Sequence, residues 1–216
     1  MTSSTRIVAL MSGGGRTVLN LHQAIMRDKL PAEIVHVIAS RENLSGIQRV
    51  EEIGLPVSIP DPGNYDHDLE QLINLQKPDL ICLCGYLKKV QLVPAWAGKM
   101  INIHPALLPA HGGKGMYGRH VHQAVLDAGD EVSGCTVHFV DDLYDHGPML
   151  LQRSCPVEPR DTPDTLAARV FEQECKALPE AVSLMAAGRI RITDHQVEIL
   201  PDLNSPLSCR DQESDP

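Results

Sequence analysis

The sequence predicts an α/β fold with a mostly parallel central sheet flanked by helices. Two observations support this fold class. Short apolar runs, such as residues 6–11 (RIVALM) and 79–84 (DLICLC), are typical of strands that are buried on both faces of a parallel sheet. Segments with apolar residues at helical spacing lie between these runs. The alternation implies right-handed βαβ units.

The first half of the chain follows this alternation in order. Gly54 ends one of the helical segments, as expected for a residue that tolerates the left-handed backbone. The predicted strands lie at residues 6–11, 34–39, 56–59 and 79–84, and the predicted helices at residues 18–26, 46–53 and 65–75.

The pattern changes after Met100. A loop rich in glycine and proline (residues 105–118) follows a strand at residues 100–103. Thr162-Pro163-Asp164 is a helix start, with Thr as N-cap and Pro in the first turn. The remaining predicted elements are a helix at 121–128, strands at 134–140 and 149–157 that pair with the sheet edge, a helix from 162 to 185 bent at Pro179, and a hairpin at 189–200.

Composition limits the function classes. The net charge of −9 argues against a nucleic-acid partner, and no apolar run approaches the ~18 residues of a membrane span. The six cysteines show no CxxC pair and are typical of reduced thiols, which favours a cytoplasmic protein. We find no repeat, linker or signal peptide, so we expect one domain over residues 1–200. Residues 201–216 are polar and acidic, and are expected to be a disordered tail.

A glycine-rich turn follows the first strand. Gly13, Gly14 and Gly15, followed by Arg16 and Thr17, lie at a predicted helix N-terminus, where free N–H groups and a bare backbone favour a phosphate. An ordinary tight strand-to-helix turn is the alternative. The sequence is neither a Walker A loop nor GxGxxG.

A GxGxxG pattern does occur at residues 113–118, but it follows a loop rather than a strand. We therefore expect no NAD and interpret residues 112–118 as a mobile loop that borders a site, with Lys114 available for an anion.

Three polar residues point to acyl or formyl transfer. Asn102 and His104 are two residues apart at a strand end, so their side chains share a face, and Asp145 lies on a loop before a later strand. Asn102 and a protonated His104 can stabilise an oxyanion. Asp145 can accept the proton of an attacking amine, and it is expected to raise the pKa of His104 above about 6.5. A buried histidine and a capping asparagine without catalytic function are the alternative.

Two other features of the sequence, the histidines and Glu174, each allow more than one interpretation. Ten histidines raise a metal hypothesis through His120, His122 and His138, but the spacings match no closed zinc site, so we expect no metal. Glu174 lies within the apolar stripe of the last long helix, where a carboxylate needs a partner. That partner is either a basic residue of the fold or the amine of a substrate.

Several motifs in this order resemble the folate-dependent formyltransferase family of purine synthesis. They are SGGG, PDLICLCGYLKKV, NIHPALLP, HFVDDLYDHGP and FEQECKALP, and together they extend over residues 6–192. The pair NIHPxLLP and DxGP is highly specific to this family and to the related formyltetrahydrofolate hydrolases.

The resemblance implies a Rossmann-like formyltransferase fold, small-molecule substrates and a monomer or homodimer. It implies 10-formyltetrahydrofolate as co-substrate and glycinamide ribonucleotide as acceptor, with Glu174 holding the glycyl amine. Matched by position, Asn102, His104 and Asp145 form the catalytic trio, and Gly13, Gly14 and Gly15 the phosphate turn. The stretches that match the folate-binding segments contain Leu87, Lys88, Val90, Val140, Asp141, Asp142, Leu143 and Tyr144.

The chain departs from the family pattern at three places. Arg16-Thr17 replaces the usual Ser-Asn, Phe171 replaces a common polar residue, and residues 112–118 lengthen a loop. The first two leave the amine acceptor open. A formyltetrahydrofolate hydrolase, a formyltransferase for another amino-sugar phosphate and a non-catalytic nucleotide-binding module remain as alternatives. Formylation of methionyl-tRNA would need a more basic surface and a further RNA-binding domain.

Overall fold

The structure is a computed structural model that describes residues 4–202. Most of the predicted tail, from residue 203 onward, therefore lies outside the described residues, as does Cys209. The strands are β1 (Thr5–Met11), β2 (Ala32–Ala39), β3 (Val57–Ser58), β4 (Leu80–Leu83), β5 (Met100–His104), β6 (Val132–Phe139), β7 (Met149–Pro156), β8 (Ile190–Thr193) and β9 (Gln196–Ile199). The α-helices are α1 (Arg16–Asp28), α2 (Ser45–Glu52), α3 (Tyr65–Leu75), α4 (Arg119–Ala128) and α5 (Pro163–Ala186).

The central sheet of the described chain has seven strands in the order β3-β2-β1-β4-β5-β6-β7. The pairings from β3 to β5 are parallel, while β5–β6 and β6–β7 are antiparallel. The predicted α/β class and mostly parallel sheet are confirmed, as are the edge position of the two later strands and the C-terminal β8–β9 hairpin.

Both faces of the parallel strands are buried because the apolar residues of each strand pack into two separate clusters. In β1, Ile7, Ala9 and Met11 contribute to one cluster, and Val8 and Leu10 to the other. All five side chains are fully buried. Burial of each large aliphatic side chain stabilises the fold by about 1.5–3 kcal/mol, which explains why these strands have continuous apolar sequences.

Helix α5 begins and continues as its sequence predicts. The Thr162 hydroxyl accepts a hydrogen bond from the Thr165 amide, and Pro163 occupies the first helical position. Pro179 lies inside the helix, which runs unbroken to Ala186. None of the helices in residues 4–202 is long and apolar enough to cross a membrane.

The strand order creates a crevice at one edge of the sheet. The chain leaves β1 toward β2 on one side, whereas β4 and β5 lie on the other side of β1. In open parallel sheets, ligands bind outside the carboxyl ends of the strands at such a reversal. The segments that follow β1, β4 and β5 all line one cleft there.

Candidate active site

The cleft at this sheet edge has a volume of about 740 Å³, a size typical of sites for small molecules. The glycine turn after β1 lies on its wall, together with Phe171 and Glu174 of α5. The loop before β7 contributes further residues, including Asp145. The catalytic residues and the glycine turn predicted from sequence therefore face one common space.

The structure brings the predicted trio together. Asn102 and His104 belong to β5, and Asp145 lies in the loop before β7 with a left-handed φ of 53°. Asn102 Nδ2 donates to Asp145 Oδ1 over 3.4 Å, and His104 Nδ1 lies 3.4 Å from Asp145 Oδ2. A carboxylate, an amide and an imidazole thus surround one small volume.

His138 completes this cluster, although the sequence suggested it only within the metal hypothesis. It is paired with Asn102 across the antiparallel β5–β6 ladder. Its Nδ1 lies 2.8 Å from the Phe139 carbonyl, which can only accept, so Nδ1 carries a proton and the neutral ring offers Nε2 as an acceptor. Asn102 Nδ2 donates to that Nε2 over 3.1 Å. His138 therefore fixes the Asn102 amide with its NH₂ group inside the cluster.

His104 has a lower pKa than the sequence led us to expect. Only 3% of its side chain is exposed, and this burial lowers its pKa below the ordinary 6.5. The nearby Asp145 carboxylate and the His111 carbonyl act in the opposite direction but do not offset the loss of solvation. The prediction that Asp145 raises the pKa of His104 above its reference value is therefore wrong, and the neutral ring is favoured.

The Asp145 carboxylate is held in its charged form. Burial raises its pKa, but the adjacent His138 ring, whose Nε2 lies 3.6 Å from Oδ1, the neighbouring His104 ring and the Gly113 amide together bring the pKa below its ordinary value. The Gly113 N–H donates to Asp145 Oδ2 over 2.9 Å. Asp145 is consequently ionised at neutral pH and can act as a base.

The glycine turn is tightly packed on one side and open on the other. Gly15 has a φ of 72°, and a Cβ there would lie 3.3 Å from the backbone of Gly46 in α2. A Cβ on Gly13 would meet no atom within 4 Å. Arg49, which the sequence analysis missed, lies 3.9 Å from the position of a Cβ on Gly14. The turn thus offers open backbone at the start of α1, with an arginine beside it.

Arg16, Phe171 and Glu174 form one wall of the cleft. The Arg16 guanidinium stacks over the Phe171 ring at 3.8 Å from its centroid, so the two departures from the family pattern contact each other. Glu174 is partly buried, and burial raises its pKa from 4.5 to about 7, although the charge of Arg16 acts in the opposite direction. Thr17 also lines this wall.

The folate-binding segments predicted from the resemblance contribute to the same cleft, and the Leu87 amide donates to Ser12 Oγ beside the glycine turn over 3.0 Å. Asp142 is exposed and does not contribute to the cleft wall. The Lys88 ammonium stacks on the Tyr65 ring at 3.2 Å. The segment residues that do line the cleft are Leu87, Lys88, Val90, Val140, Asp141, Leu143 and Tyr144.

The lengthened loop borders the site, as predicted. Residues 113–118 line the cleft, and the formal GxGxxG motif within them follows a turn rather than a strand. Lys114 is exposed on this loop.

The remaining histidines do not form a metal cluster. No group of three or more potential ligands in residues 4–202 is arranged to hold a metal ion. His120 is exposed, whereas His122 is buried and its Nδ1 has no hydrogen-bond partner in the described part of the chain.

These features are those of a group-transfer enzyme. A fixed amide donor, a charged carboxylate and an imidazole converge on the wall of a cleft that also contains a turn suited to phosphate. Residues 5–182 match the model of the formyl transferase family, so the chain belongs to that family.

Similar proteins within the family share one activity in their names. The chain is 34% identical over 210 residues to the chloroplastic phosphoribosylglycinamide formyltransferase of Arabidopsis thaliana, covering 93% of this chain and 72% of that protein. It is 32% identical to the Escherichia coli phosphoribosylglycinamide formyltransferase, covering 88% and 91%. The crystal structure of glycinamide ribonucleotide transformylase 1 from Symbiobacterium toebii superposes with a TM-score of 0.85 at 32% identity, covering 93% and 96%.

A formyltetrahydrofolate deformylase from Pseudomonas syringae shares the fold, with a TM-score of 0.81 at 21% identity.

Proposed function

We propose that this chain transfers the formyl group of 10-formyltetrahydrofolate to the amine of glycinamide ribonucleotide. The observation that carries the proposal is the convergence of Asn102, His104 and Asp145 in a cleft that also contains a phosphate-type glycine turn. The names of the most similar proteins support the same activity.

The cleft wall carries two kinds of surface that suit the two substrates. Leu87, Leu143 and Tyr144 are large apolar residues that remain 41–61% exposed on the wall. Such surfaces favour a flat heteroaromatic ring, and folate would bring the one-carbon unit there. The open backbone of Gly13 and the Arg16 guanidinium suit a phosphate.

Asn102 supplies the oxyanion donor. When the amine attacks the formyl carbon, the electron pair of the C=O bond moves to the formyl oxygen. Asn102 Nδ2 makes a long hydrogen bond to Asp145, at 3.4 Å, and a shorter one to His138, at 3.1 Å. The long bond is the one that the oxyanion replaces, which stabilises the transition state rather than the ground state.

Asp145 and His104 handle the proton. Asp145 accepts the proton that the attacking nitrogen loses, directly or through a water molecule. The Nε2–H of neutral His104 donates to the His111 carbonyl over 2.9 Å. Its Nδ1 therefore carries the lone pair, which faces Asp145. When His104 Nδ1 shares the released proton with Asp145, the His104 ring gains positive charge while negative charge develops on the formyl oxygen. The electron pair then returns from the oxyanion to re-form the C=O bond, the bond between the formyl carbon and the folate nitrogen breaks, and the proton held by Asp145 and His104 passes to that nitrogen as it leaves.

The acceptor end distinguishes transfer from hydrolysis. Glu174 has a pKa of about 7, so its carboxyl group can donate or accept a hydrogen bond near neutral pH. We propose that it contacts the acceptor. A hydrolase, which uses water as acceptor, needs neither this carboxyl group nor the arginine stacked on Phe171.

The direct test follows tetrahydrofolate release when the protein is mixed with 10-formyltetrahydrofolate and an amine. Release that requires glycinamide ribonucleotide and yields its formyl derivative supports the proposal. Release of formate without any amine identifies a hydrolase instead. No release, together with tight binding of a nucleotide, identifies a binding module.

A further inference from the structure

The loop after β5 places two backbone groups on the catalytic residues. The His111 carbonyl accepts a hydrogen bond from His104 Nε2 over 2.9 Å. Two residues later, the Gly113 amide donates to Asp145 Oδ2 over 2.9 Å. The short turn at residues 111–113 therefore contacts both members of the catalytic His–Asp pair.

This turn has a backbone that is costly to maintain. His111 has a left-handed φ of 53°, a conformation that residues with a Cβ rarely adopt, and Gly113 has a φ of 99°. Such a conformation persists only when other contacts enforce it. Gly112, between them, is closely packed, since a Cβ there would lie 2.5 Å from a methyl group of Leu108.

The His111 side chain supplies an enforcing contact. Its Nε2 lies 2.6 Å from Oδ2 of Asp130, which lies between α4 and β6. The Asp130 amide donates in turn to the Val125 carbonyl at the end of α4. The turn is thus attached to the body of the fold through a side-chain hydrogen bond outside the catalytic cluster.

We propose that His111, anchored by Asp130, is a positioning residue that selects the tautomer of His104. A carbonyl can only accept a hydrogen bond, so the His111 carbonyl keeps the neutral-state proton of His104 on Nε2. Nδ1, which faces Asp145, is then the nitrogen that gains and loses a proton. Release of the His111–Asp130 contact loosens the turn and permits the other tautomer, in which Nδ1 is already protonated. The catalytic meaning of this inference rests on the proposed function.

Four variants test the proposal in the full chain. His111→Gly keeps the carbonyl and tolerates the left-handed backbone, but removes the ring. Asp130→Ala removes the anchor. His111→Asn is the rescue variant, because asparagine tolerates this backbone and its amide can donate to Asp130. Glu198→Gln is the control, since it removes the exposed Arg191–Glu198 ion pair on the β8–β9 hairpin.

The first readout is the ¹⁵N spectrum of the histidine rings, with His104 assigned by the loss of its signals in His104→Gln. The wild type and Glu198→Gln should show the Nε2–H form of His104. His111→Gly and Asp130→Ala should show a mixture of both tautomers, and His111→Asn should restore the Nε2–H form. Unchanged His104 signals in folded His111→Gly and Asp130→Ala would overturn the proposal.

The second readout is the pH profile of kcat. His111→Gly and Asp130→Ala should lower kcat by about 10- to 100-fold while the KM for folate stays the same. Both variants should also shift the apparent pKa of the kcat profile. The titratable groups that face His104 contribute to that profile, and they are Asp145, His138, His111 and His122. A purely structural contact would lower stability and leave kcat and the profile unchanged, which also refutes the proposal.

The two proposals fail separately. If the wild type transfers no formyl group, the proposed function is wrong, but the ring spectra still test the selection of the tautomer. If Asp130→Ala does not fold, His111→Gly and His111→Asn carry the comparison.

Discussion

Replacement of Glu174 by glutamine should make the protein more stable at alkaline pH, even though it should impair acceptor binding. The folded-state pKa of Glu174 is raised from 4.5 to about 7 because the cleft wall desolvates the carboxylate. Well below pH 4.5 the carboxyl group is protonated in both the folded and the unfolded chain, so its raised pKa does not lower the free energy of unfolding. Between pH 4.5 and 7 the carboxyl group ionises in the unfolded chain but stays protonated at its poorly solvated site in the folded chain, so stability is lost over this range. Above pH 7 the group is ionised in both states and the loss is complete.

The shift corresponds to at most about 3–4 kcal/mol of lost stability above pH 8, since one pKa unit is about 1.4 kcal/mol. Contact with water in the open cleft reduces this figure. Glutamine resembles the protonated acid and cannot ionise. For a chain of this size, Glu174→Gln should therefore raise Tm at pH 8.5 by up to about 10 °C and change it little at pH 5.

Urea or thermal unfolding of both proteins at pH 5, 7 and 8.5 measures the effect. Glu172, which is exposed on the same helix, provides the matched control through Glu172→Gln. The acceptor KM should rise in Glu174→Gln alone, while the folate KM stays the same. A Glu174→Gln variant that is less stable than the wild type at pH 8.5 would show that the carboxylate forms a stabilising ion pair, and would refute the reasoning.

Three further predictions concern the walls of the cleft. Gly13→Ala should change the free energy of unfolding by no more than about 0.5 kcal/mol but should weaken acceptor binding. Gly15→Ala should lower the free energy of unfolding in urea by about 1–2 kcal/mol, because Gly15 has a φ of 72°. Equal effects of the two variants on stability would contradict this prediction. Arg16→Ala should raise the acceptor KM about 10-fold, and Phe171→Leu, which removes the cation–π contact, about 2- to 5-fold, with no change in folate KM. Amide exchange in residues 112–118 should slow when both substrates bind, and exchange that ignores both would indicate a static loop.

The strands and helices were predictable because their signals are local. Residues 7–11 and 80–84 are continuously apolar, and their strands are buried on both faces. Thr162-Pro163 places the start of α5 through local cap chemistry. The shared face of Asn102 and His104 was also predictable, since they are two positions apart on β5, and Asp145 reaches them from the loop before β7.

The supporting residues were not predictable in the same way. His138 joins the cluster through the antiparallel register that pairs it with Asn102, and that register depends on tertiary contacts. A histidine inside an otherwise apolar strand segment was the available signal. His111 acts through its carbonyl, a group that every residue carries, so no side-chain pattern marks it.

The pKa of His104 was mispredicted for a related reason. The sequence indicates the nearby carboxylate of Asp145, which raises the pKa, but does not indicate how completely the ring is buried. With 3% of the side chain exposed, desolvation outweighs the carboxylate. Desolvation depends on the whole surrounding fold and is read only from the structure.

We propose that Asn102, His104 and Asp145 act as one unit in formyl transfer to an amine. The decisive experiment measures kcat for formylation of glycinamide ribonucleotide by His104→Ala, Asp145→Asn and the double variant, all at saturating substrates. Each single variant should lower kcat by about 10²–10⁴-fold, and the double variant should be little worse than the poorer single one, because the two groups share one proton. Folded single variants with near-normal kcat, or losses that multiply in the double variant, would contradict the account.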